Sequence, residues 1–235
     1  MTDSTADHRG RVPAIELRNV EKAFAGNPVL RGVSLHIDVG ETFTLLGGSG
    51  SGKSVCLKHM VGLLQADKGQ VLIDGKDMTA CREIEWVGER QRFGVLFQGA
   101  ALFDSLNVHG NIAYPLRQHR DHSPAEISDR VAECLEAVGL PGTEKLMPAE
   151  LSGGMKKRIG LARAIAMQPE FILYDEPTTG LDPANQRRVA DLIVELQERL
   201  QVTSVVVTHE LDLCFSISDR VALLKNGRVA AEANS

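Results

Sequence analysis

Gly47-Gly48-Ser49-Gly50-Ser51-Gly52-Lys53-Ser54 is the stretch whose reading decides the fold. It fits G-x-x-x-x-G-K-[ST], the pattern of a phosphate-binding loop. Glycines at this density let the backbone wrap closely round an anion. The loop N–H groups and the N-terminus of the following helix can then donate to it. In that chemistry Lys53 reaches the β- and γ-phosphates of a nucleotide, and the Ser54 hydroxyl ligates Mg²⁺. The alternate glycines also suit a dinucleotide site, but the adjoining Lys53-Ser54 argues against that. The flanks agree with the loop. A strand enters it over residues 41–46, and Leu57, Met60, Val61 and Leu64 recur at helical spacing after it.

A second stretch, Phe171-Ile172-Leu173-Tyr174-Asp175-Glu176, supplies the acidic half of such a site. Short continuous apolar runs here and at residues 205–207 suit central strands of a parallel sheet covered on both faces. Residues 184–200 read as the crossover helix between them. A carboxylate ending such a strand emerges at the carboxyl edge of the sheet, beside the phosphates. Asp175 is therefore expected to hold Mg²⁺ through water. Glu176 is expected to face the γ-phosphate and polarise the attacking water as general base. A solvated acidic pair would explain an isolated Asp-Glu; it explains less well one that follows an apolar tetrad in a chain with a matching phosphate loop.

Upstream, residues 33–39 alternate strictly, as a half-buried antiparallel strand does, with residues 15–20 as partner and a turn around Gly26-Asn27-Pro28. Asp74-Gly75 and Asn226-Gly227 are hairpin signals. Residues 98–161 follow a helical pattern, with Ile127, Val131, Leu135 and Val138 on one face of a segment led by Ser123-Pro124. No internal repeat is present. The expected fold class is α/β: a P-loop NTPase core, an antiparallel β subdomain near the N-terminus and an inserted helical subdomain. Residues 1–11 are polar and aperiodic and read as a flexible tail. Residues 12–235 read as a single domain carrying the helical insertion at about 99–162.

The 235 residues can bury a full α/β core, and 43% hydrophobic with 24% charged residues is ordinary for a soluble globule. A net charge of -5 gives no support to non-specific nucleic-acid binding. No apolar run approaches the ~20 residues of a membrane span, and no signal-peptide core opens the chain, so a cytosolic or membrane-peripheral place is expected. Cys56, Cys81, Cys134 and Cys214 lie far apart without C-x-x-C and read as reduced, mostly buried small hydrophobes. His119-x-x-His122 lies in a polar stretch without further ligands and reads as solvated loop.

Leu151-Ser152-Gly153-Gly154 stands between these two stretches. Phosphate loop, tetrapeptide and acidic strand follow in the order of the ATP-binding cassette (ABC) ATPases, and the resemblance covers residues 15–233. In that family the tetrapeptide is the signature motif, which closes over ATP held by a second subunit. A Ser-Gly-Gly entry to a helix can indeed place donors and a positive dipole end against a γ-phosphate. One phosphate loop already serves this chain, so Ser152, Gly153 and Gly154 need the ATP of another copy. Two chains facing head to tail satisfy both needs; ATP joins them and hydrolysis loosens them.

The same resemblance implies further roles. Gln98, after Val95-Leu96-Phe97, looks like the Q-loop glutamine that touches Mg²⁺ and links the helical subdomain to nucleotide. His209 resembles the switch histidine that contacts the γ-phosphate, and Gly180-Leu181-Asp182 the D-loop that crosses the dimer. Phe24 resembles the aromatic that stacks on adenine; many relatives carry Tyr, so only the hydroxyl is lost. Either Phe24 or His209 could instead serve a purely local role, as a core aromatic or a strand cap. The sequence departs from the family at Val55, where many relatives have Thr beside the phosphates, and at Met155, where Gln is common. Many relatives also continue past the 226–227 hairpin with a helical tail.

Within the family, residues 96–108 and Asn111-Ile112-Ala113-Tyr114-Pro115-Leu116-Arg117 resemble the ATPase subunits of Mla-type lipid transporters and related systems with mammalian-cell-entry (MCE) proteins. Ser54-Val55, Leu57-Lys58-His59, Lys145-Leu146-Met147-Pro148 and the Met155 signature point the same way. In that family this region forms the groove for a permease's coupling helix. The resemblance therefore implies an ATP- and Mg²⁺-dependent homodimer on the cytoplasmic face of the inner membrane. Its partners would be an integral permease, an MCE protein and a small STAS-domain subunit; nucleic acid would not be one. An importer of a polar solute such as an amino acid would use the same ATPase with a different groove. A soluble relative acting on ribosomes or DNA commonly has paired cassettes or long coiled-coil insertions, and neither is seen here.

Overall fold

Alternating apolar residues at the start of the chain form a curled antiparallel sheet. In the computed structural model, which describes residues 12–118 and 122–234, β1 (Ile15–Phe24) pairs with β2 (Asn27–Ile37). Ile15, Leu17 and Val20 lie opposite Ile37, Leu35 and Val33, and all six are buried. The turn is tighter than the sequence suggests. It consists of Ala25 and Gly26, at φ 47° and 83°, and Asn27 and Pro28 already belong to the strand. Two left-handed residues match the twist of the flanking strands, so no longer loop is needed.

β3 (Thr42–Leu46) leads into the glycine loop, and α1 (Lys53–Met60) follows. The helix stops short of Leu64. Gly62 has φ 65°, and the N–H groups of Leu63 and Leu64 fold back onto the Lys58 carbonyl. A β-carbon on Gly62 would lie 2.1 Å from the Trp86 ring, so the turn fits closely under that indole. β4 (Lys68–Ile73) and β5 (Lys76–Asp77) complete the first sheet, ordered β2-β1-β4-β5 and joined at the Asp74-Gly75 turn. Next comes α2 (Glu83–Arg90), which carries Trp86 as its only buried residue. With Ile84 and Val87 exposed and only Trp86 buried, the apolar pattern of these eight residues does not mark the inward face.

β6 (Phe93–Leu96) opens the helical insertion of α3 (Val108–Gln118), α4 (Pro124–Ala137) and α5 (Gly153–Ile165). Ser123 caps α4 and exchanges a capping box with Glu126. The chain returns through β7 (Phe171–Asp175), α6 (Pro183–Leu200), β8 (Thr203–Thr208), α7 (Leu211–Ile217), β9 (Arg220–Lys225) and β10 (Arg228–Asn234). The second sheet runs β10-β9-β3-β8-β7-β6, parallel except for the β9–β10 hairpin at Asn226-Gly227.

Successive residues of its central strands serve opposite layers. Ile172, Tyr174 and Val206 join α3 to α6 in one core, while Leu173, Val205 and Val207 join α1 and the first sheet in the other. Both faces are covered, which is why these strands read as unbroken apolar runs. Cys56, Cys134 and Cys214 are buried free thiols; burial pushes Cys56 up to about 12 and Cys134 to about 11. No helix among the described residues is long and apolar enough to cross a membrane. The expected tail at 1–11 and His119 lie outside the described residues.

The insertion presses on the sheet at Gly94, where a β-carbon would meet the Ala164 carbonyl at 2.5 Å. The Ala164 backbone and the Pro169 ring leave little room to give. Gly94→Ala should therefore destabilise the fold by about 1–3 kcal/mol in urea unfolding. Ala substituted at Gly88, where a β-carbon meets nothing within 4 Å, is the control and should not lower stability.

Candidate functional site

Parallel strands end together, so the segments leaving β3, β7 and β8 converge at one sheet edge. β8 is the central strand of the three, and it extends its pairing past both neighbours. The Gly47 N–H donates to the Thr208 carbonyl at 3.2 Å, and the Glu176 N–H donates to the Val207 carbonyl at 2.9 Å. The glycine loop and the residue after the acidic strand are thus fixed to the same scaffold.

The loop winds tightly from there. Gly50 and Gly52 have φ of 75° and 109°, and Gly52 precedes the first turn of α1. Neither Gly48 nor Gly50 would bring a β-carbon within 4 Å of another group, so the concave backbone is open there. Gly47 is different: a β-carbon would strike the Leu224 carbonyl at 2.5 Å, and only glycine fits against β9.

Lys53 is buried and its Nζ donates to the Gly47 and Gly48 carbonyls at 2.7 and 3.2 Å. The same ammonium lies 3.3 Å from Glu176 Oε1. The Ser54 hydroxyl donates to Asp175 Oδ1 at 2.8 Å. Glu176 is left-handed at φ 50° and only 8% exposed. Its other oxygen, Oε2, lies 2.8 Å from His209 Nδ1 and accepts from the Thr179 hydroxyl at 3.1 Å. Lys53 and His209 therefore both contact Glu176, and the Ser54–Asp175 pair lies beside them, joined through the chain at 53–54 and 175–176. Ser49, Ser51 and Val55 lie along the same loop and first helical turn.

Other residues singled out in the sequence join this cluster indirectly or stand apart. Gln98 follows β6, and its carbonyl, together with that of Glu176, accepts from the buried Lys157 ammonium of α5. Ser152 is the N-cap of α5 and accepts from the Met155 N–H, so the helix begins at Gly153, directly after it. Asp182 is the N-cap of α6, accepting from the Ala184 and Asn185 N–H groups. The Asn185 side chain, with those backbone bonds, holds the Asp182 carboxyl below the usual range. Gly153 and Gly154 lie against the start of α6 and the residues before it: a β-carbon on Gly154 would lie 2.7 Å from Asn185 Oδ1, and one on Gly153 3.5 Å from Leu181. Phe24 is 42% exposed at the tip of the first hairpin, with the Lys22 ammonium 5.8 Å over its ring, so it is no core aromatic. The hairpin approaches the loop through Leu30, which a β-carbon on Gly52 would meet at 2.7 Å.

The sequence reading passed over two features. In the sequence Lys157 stands between Lys156 and Arg158 and reads as one basic residue among several. Yet Gly154, Lys157, Leu161 and Ala164 form one buried stripe, and a lysine in such a stripe is the available signal. Asn111, wholly buried, fixes the loop before α3 by accepting from the Phe103 N–H and donating to the Phe103, Leu106 and Asn107 carbonyls. That loop borders a cleft of about 980 Å³ lined by Leu63, Val87, Phe97, Phe103, Tyr114 and Met167. The Phe103 and Tyr114 rings lie 4.6 Å apart on its wall.

The cap at Ser152 yields a stability test independent of any ligand. Ser152→Ala should cost about 1 kcal/mol in urea unfolding, and Ser152→Gly only roughly 0.3 kcal/mol, because glycine adopts the cap conformation and leaves the N–H groups to water.

Comparison with known proteins places the chain. The family described as ABC transporter matches residues 30–179. The probable ribonucleotide transport ATP-binding protein mkl of Mycobacterium leprae is 44% identical over 218 residues, 92% of this chain and 63% of that protein. The chain thus spans less than two thirds of that relative's length. The intermembrane phospholipid transport system ATP-binding protein MlaF of Haemophilus influenzae is 38% identical over 94% of this chain and 84% of its own. The methionine import ATP-binding protein MetN of Carboxydothermus hydrogenoformans is 41% identical over 93% and 65%. Among solved structures, the ATP-binding cassette MJ0796, a dimer in a post-hydrolysis state bound to ADP and Pi, superposes with a TM-score of 0.87 at 32% identity. It covers 94% of this chain and 98% of that one. With the phosphate loop, the acidic strand end and the signature helix in this order and this geometry, the chain belongs to the ABC transporter family.

Proposed function

We propose that the chain binds ATP with Mg²⁺ and hydrolyses it, working as a head-to-tail pair of copies on a membrane permease that moves phospholipid. The observation that carries the ATPase reading is the cluster at the sheet edge, which brings together Lys53, Ser54, Asp175, Glu176 and His209.

The residues present fit the nucleotide and its metal. The loop backbone is open at Gly48 and Gly50, and the Lys53 ammonium already rests on loop carbonyls at the mouth of that concavity. Backbone N–H groups of residues 47–52 and Lys53 would hold the β- and γ-phosphates, with Ser54 and Val55 in the first turn beside them. The Ser54 hydroxyl and Asp175 carboxylate are oxygen donors of the kind Mg²⁺ takes, and the Gln98 side chain would add a third. Bound there, Mg²⁺ would neutralise charge on the phosphate oxygens. The exposed Phe24 ring would stack on adenine.

Hydrolysis then falls to Glu176. Its carboxylate accepts a proton from water as the water oxygen bonds to the γ-phosphorus; the bond to the β–γ bridging oxygen breaks and ADP leaves. Phosphates that draw Lys53 toward themselves free Oε1 for this task. His209, whose ring N–H meets Glu176 here, would turn that donor to the γ-phosphate when nucleotide binds. Ser152, Gly153 and Gly154 stand at a helix N-terminus and would donate to the ATP of the second copy, with Asp182 beside them.

Support for phospholipid comes from the similarity to MlaF over most of that protein's length, and from the stretch around Asn111 and Tyr114 that lines the apolar cleft. A coupling helix of the permease would seat in that cleft on the cytoplasmic face of the inner membrane. An MCE protein and a STAS-domain subunit complete the proposed assembly. Similarity to MetN makes an amino-acid importer the second reading.

In the assembly purified from native membranes, Glu176→Gln should lower ATP turnover by roughly 10²–10⁴-fold while ATP still binds. Turnover equal to wild type would remove Glu176 from the role of base. Chelation of Mg²⁺ should abolish turnover. Mass spectrometry of the same assembly should find an MCE protein, a multi-span permease and phospholipid. A solute permease without an MCE protein would overturn the substrate, and co-purifying ribosomes or nucleic acid without any permease would overturn the transporter.

A further inference from the structure

Lys157 lies in the buried stripe of α5, 5% exposed, where the helix has apolar and glycine neighbours above and below. Its Nζ donates to two backbone carbonyls, those of Gln98 and Glu176, the second at 2.8 Å. These carbonyls belong to different segments, one leaving β6 and the other leaving β7. Burial lowers the lysine's pKa, and the nearby carboxylates of Asp175, Glu176 and Glu210 oppose that. An ammonium withdrawn from water is kept only where its donors are satisfied, so the bridge is a specific structure and not a solvated face.

Both anchored segments are conformationally demanding. Glu176 is left-handed, and so are Ala100 and Ala101, at φ 60° and 47°. Arg163, six residues beyond Lys157 on α5, donates to the Ala100 and Ala101 carbonyls, each at 2.7 Å. Gly160 lies between the two cations; a β-carbon there would meet Leu96 at 2.8 Å and Ala100 at 3.2 Å. The helix that begins at the signature therefore grips the segment after Gln98 along its length, and through Lys157 it also grips the backbone of Glu176.

We propose that Lys157 is a positioning residue for hydrolysis: its ammonium ties the signature helix at once to the backbone of Gln98 and of Glu176. A displacement of α5 when Ser152–Gly154 engages a second copy's nucleotide is then delivered directly to the base and to the Q-loop. The inference rests on the reading of Glu176 as the base.

The test uses the full chain in its native membrane assembly, with ATP as the probe. Lys157→Met should lower kcat at least five-fold while KM for ATP stays within two-fold, because the phosphate loop does not depend on the bridge. Lys157→Arg, which keeps a cation with several donors, should recover at least half of the lost turnover. A kcat within five-fold of wild type for Lys157→Met, or no recovery by Arg, overturns the proposal and leaves the lysine a packing residue. Where the Met variant does not assemble, Lys157→Gln is read by the same kcat and KM criteria. Glu176→Gln is assayed alongside. If it retains wild-type turnover, the base assignment fails on its own account; if it is inactive and Lys157→Met is not impaired, only the positioning role fails.

Discussion

Chemistry in this chain depends on β8 lying between β3 and β7. Its backbone supplies the carbonyls of Val207 and Thr208 to the first N–H group beyond each neighbouring strand, those of Glu176 and Gly47. Hydrogen bonding across a parallel sheet sets strand ends in register to within a residue, and the loops inherit that register. The glycine loop, the acidic pair and the histidine that follows β8 are brought to one edge by this means. A chain with the same motifs and a slipped β8 would keep every residue and lose the site.

The polar groups at that edge are strongly interdependent. Glu176 is almost enclosed, so its carboxylate needs compensation, which Lys53, His209 and Thr179 provide. Lys53 in turn is compensated by loop carbonyls as well as by Glu176. An anion in the loop competes for the same ammonium that neutralises the glutamate. On the proposed reading, nucleotide binding and the release of the glutamate for proton transfer would be linked through this single lysine.

Several motif residues carry two burdens. Ser152 and Asp182 are N-caps of α5 and α6, and the two helix starts touch through Gly154 and Asn185. The geometry that would present donors to a second molecule is thus held by bonds within this one. The cap explains why serine and aspartate suit these positions even before a partner arrives.

The phosphate loop and the acidic strand were legible in the sequence because each is local: its residues are contiguous, and their spacing reports a turn or a buried strand directly. Gly47 to Ser54 and Phe171 to Glu176 needed no knowledge of what lay beside them. The antiparallel start, the α4 cap and the two Gly-containing hairpins were legible for the same reason, since alternation, capping boxes and left-handed turns are short-range signals. Tertiary structure alone decided what depends on distant partners. Helix α1 ends early because Trp86, from a helix whose apolar pattern does not mark its inward face, packs over Gly62. Phe24 is a surface ring and not a core one because its hairpin ends in solvent. Lys157 reads in sequence as one basic residue among several, and it becomes a bridge only when β6 and β7 bring the carbonyls of Gln98 and Glu176 to its ammonium. Spacing along a chain encodes local conformation; the company a buried charge keeps is set by the packing of elements far apart in sequence.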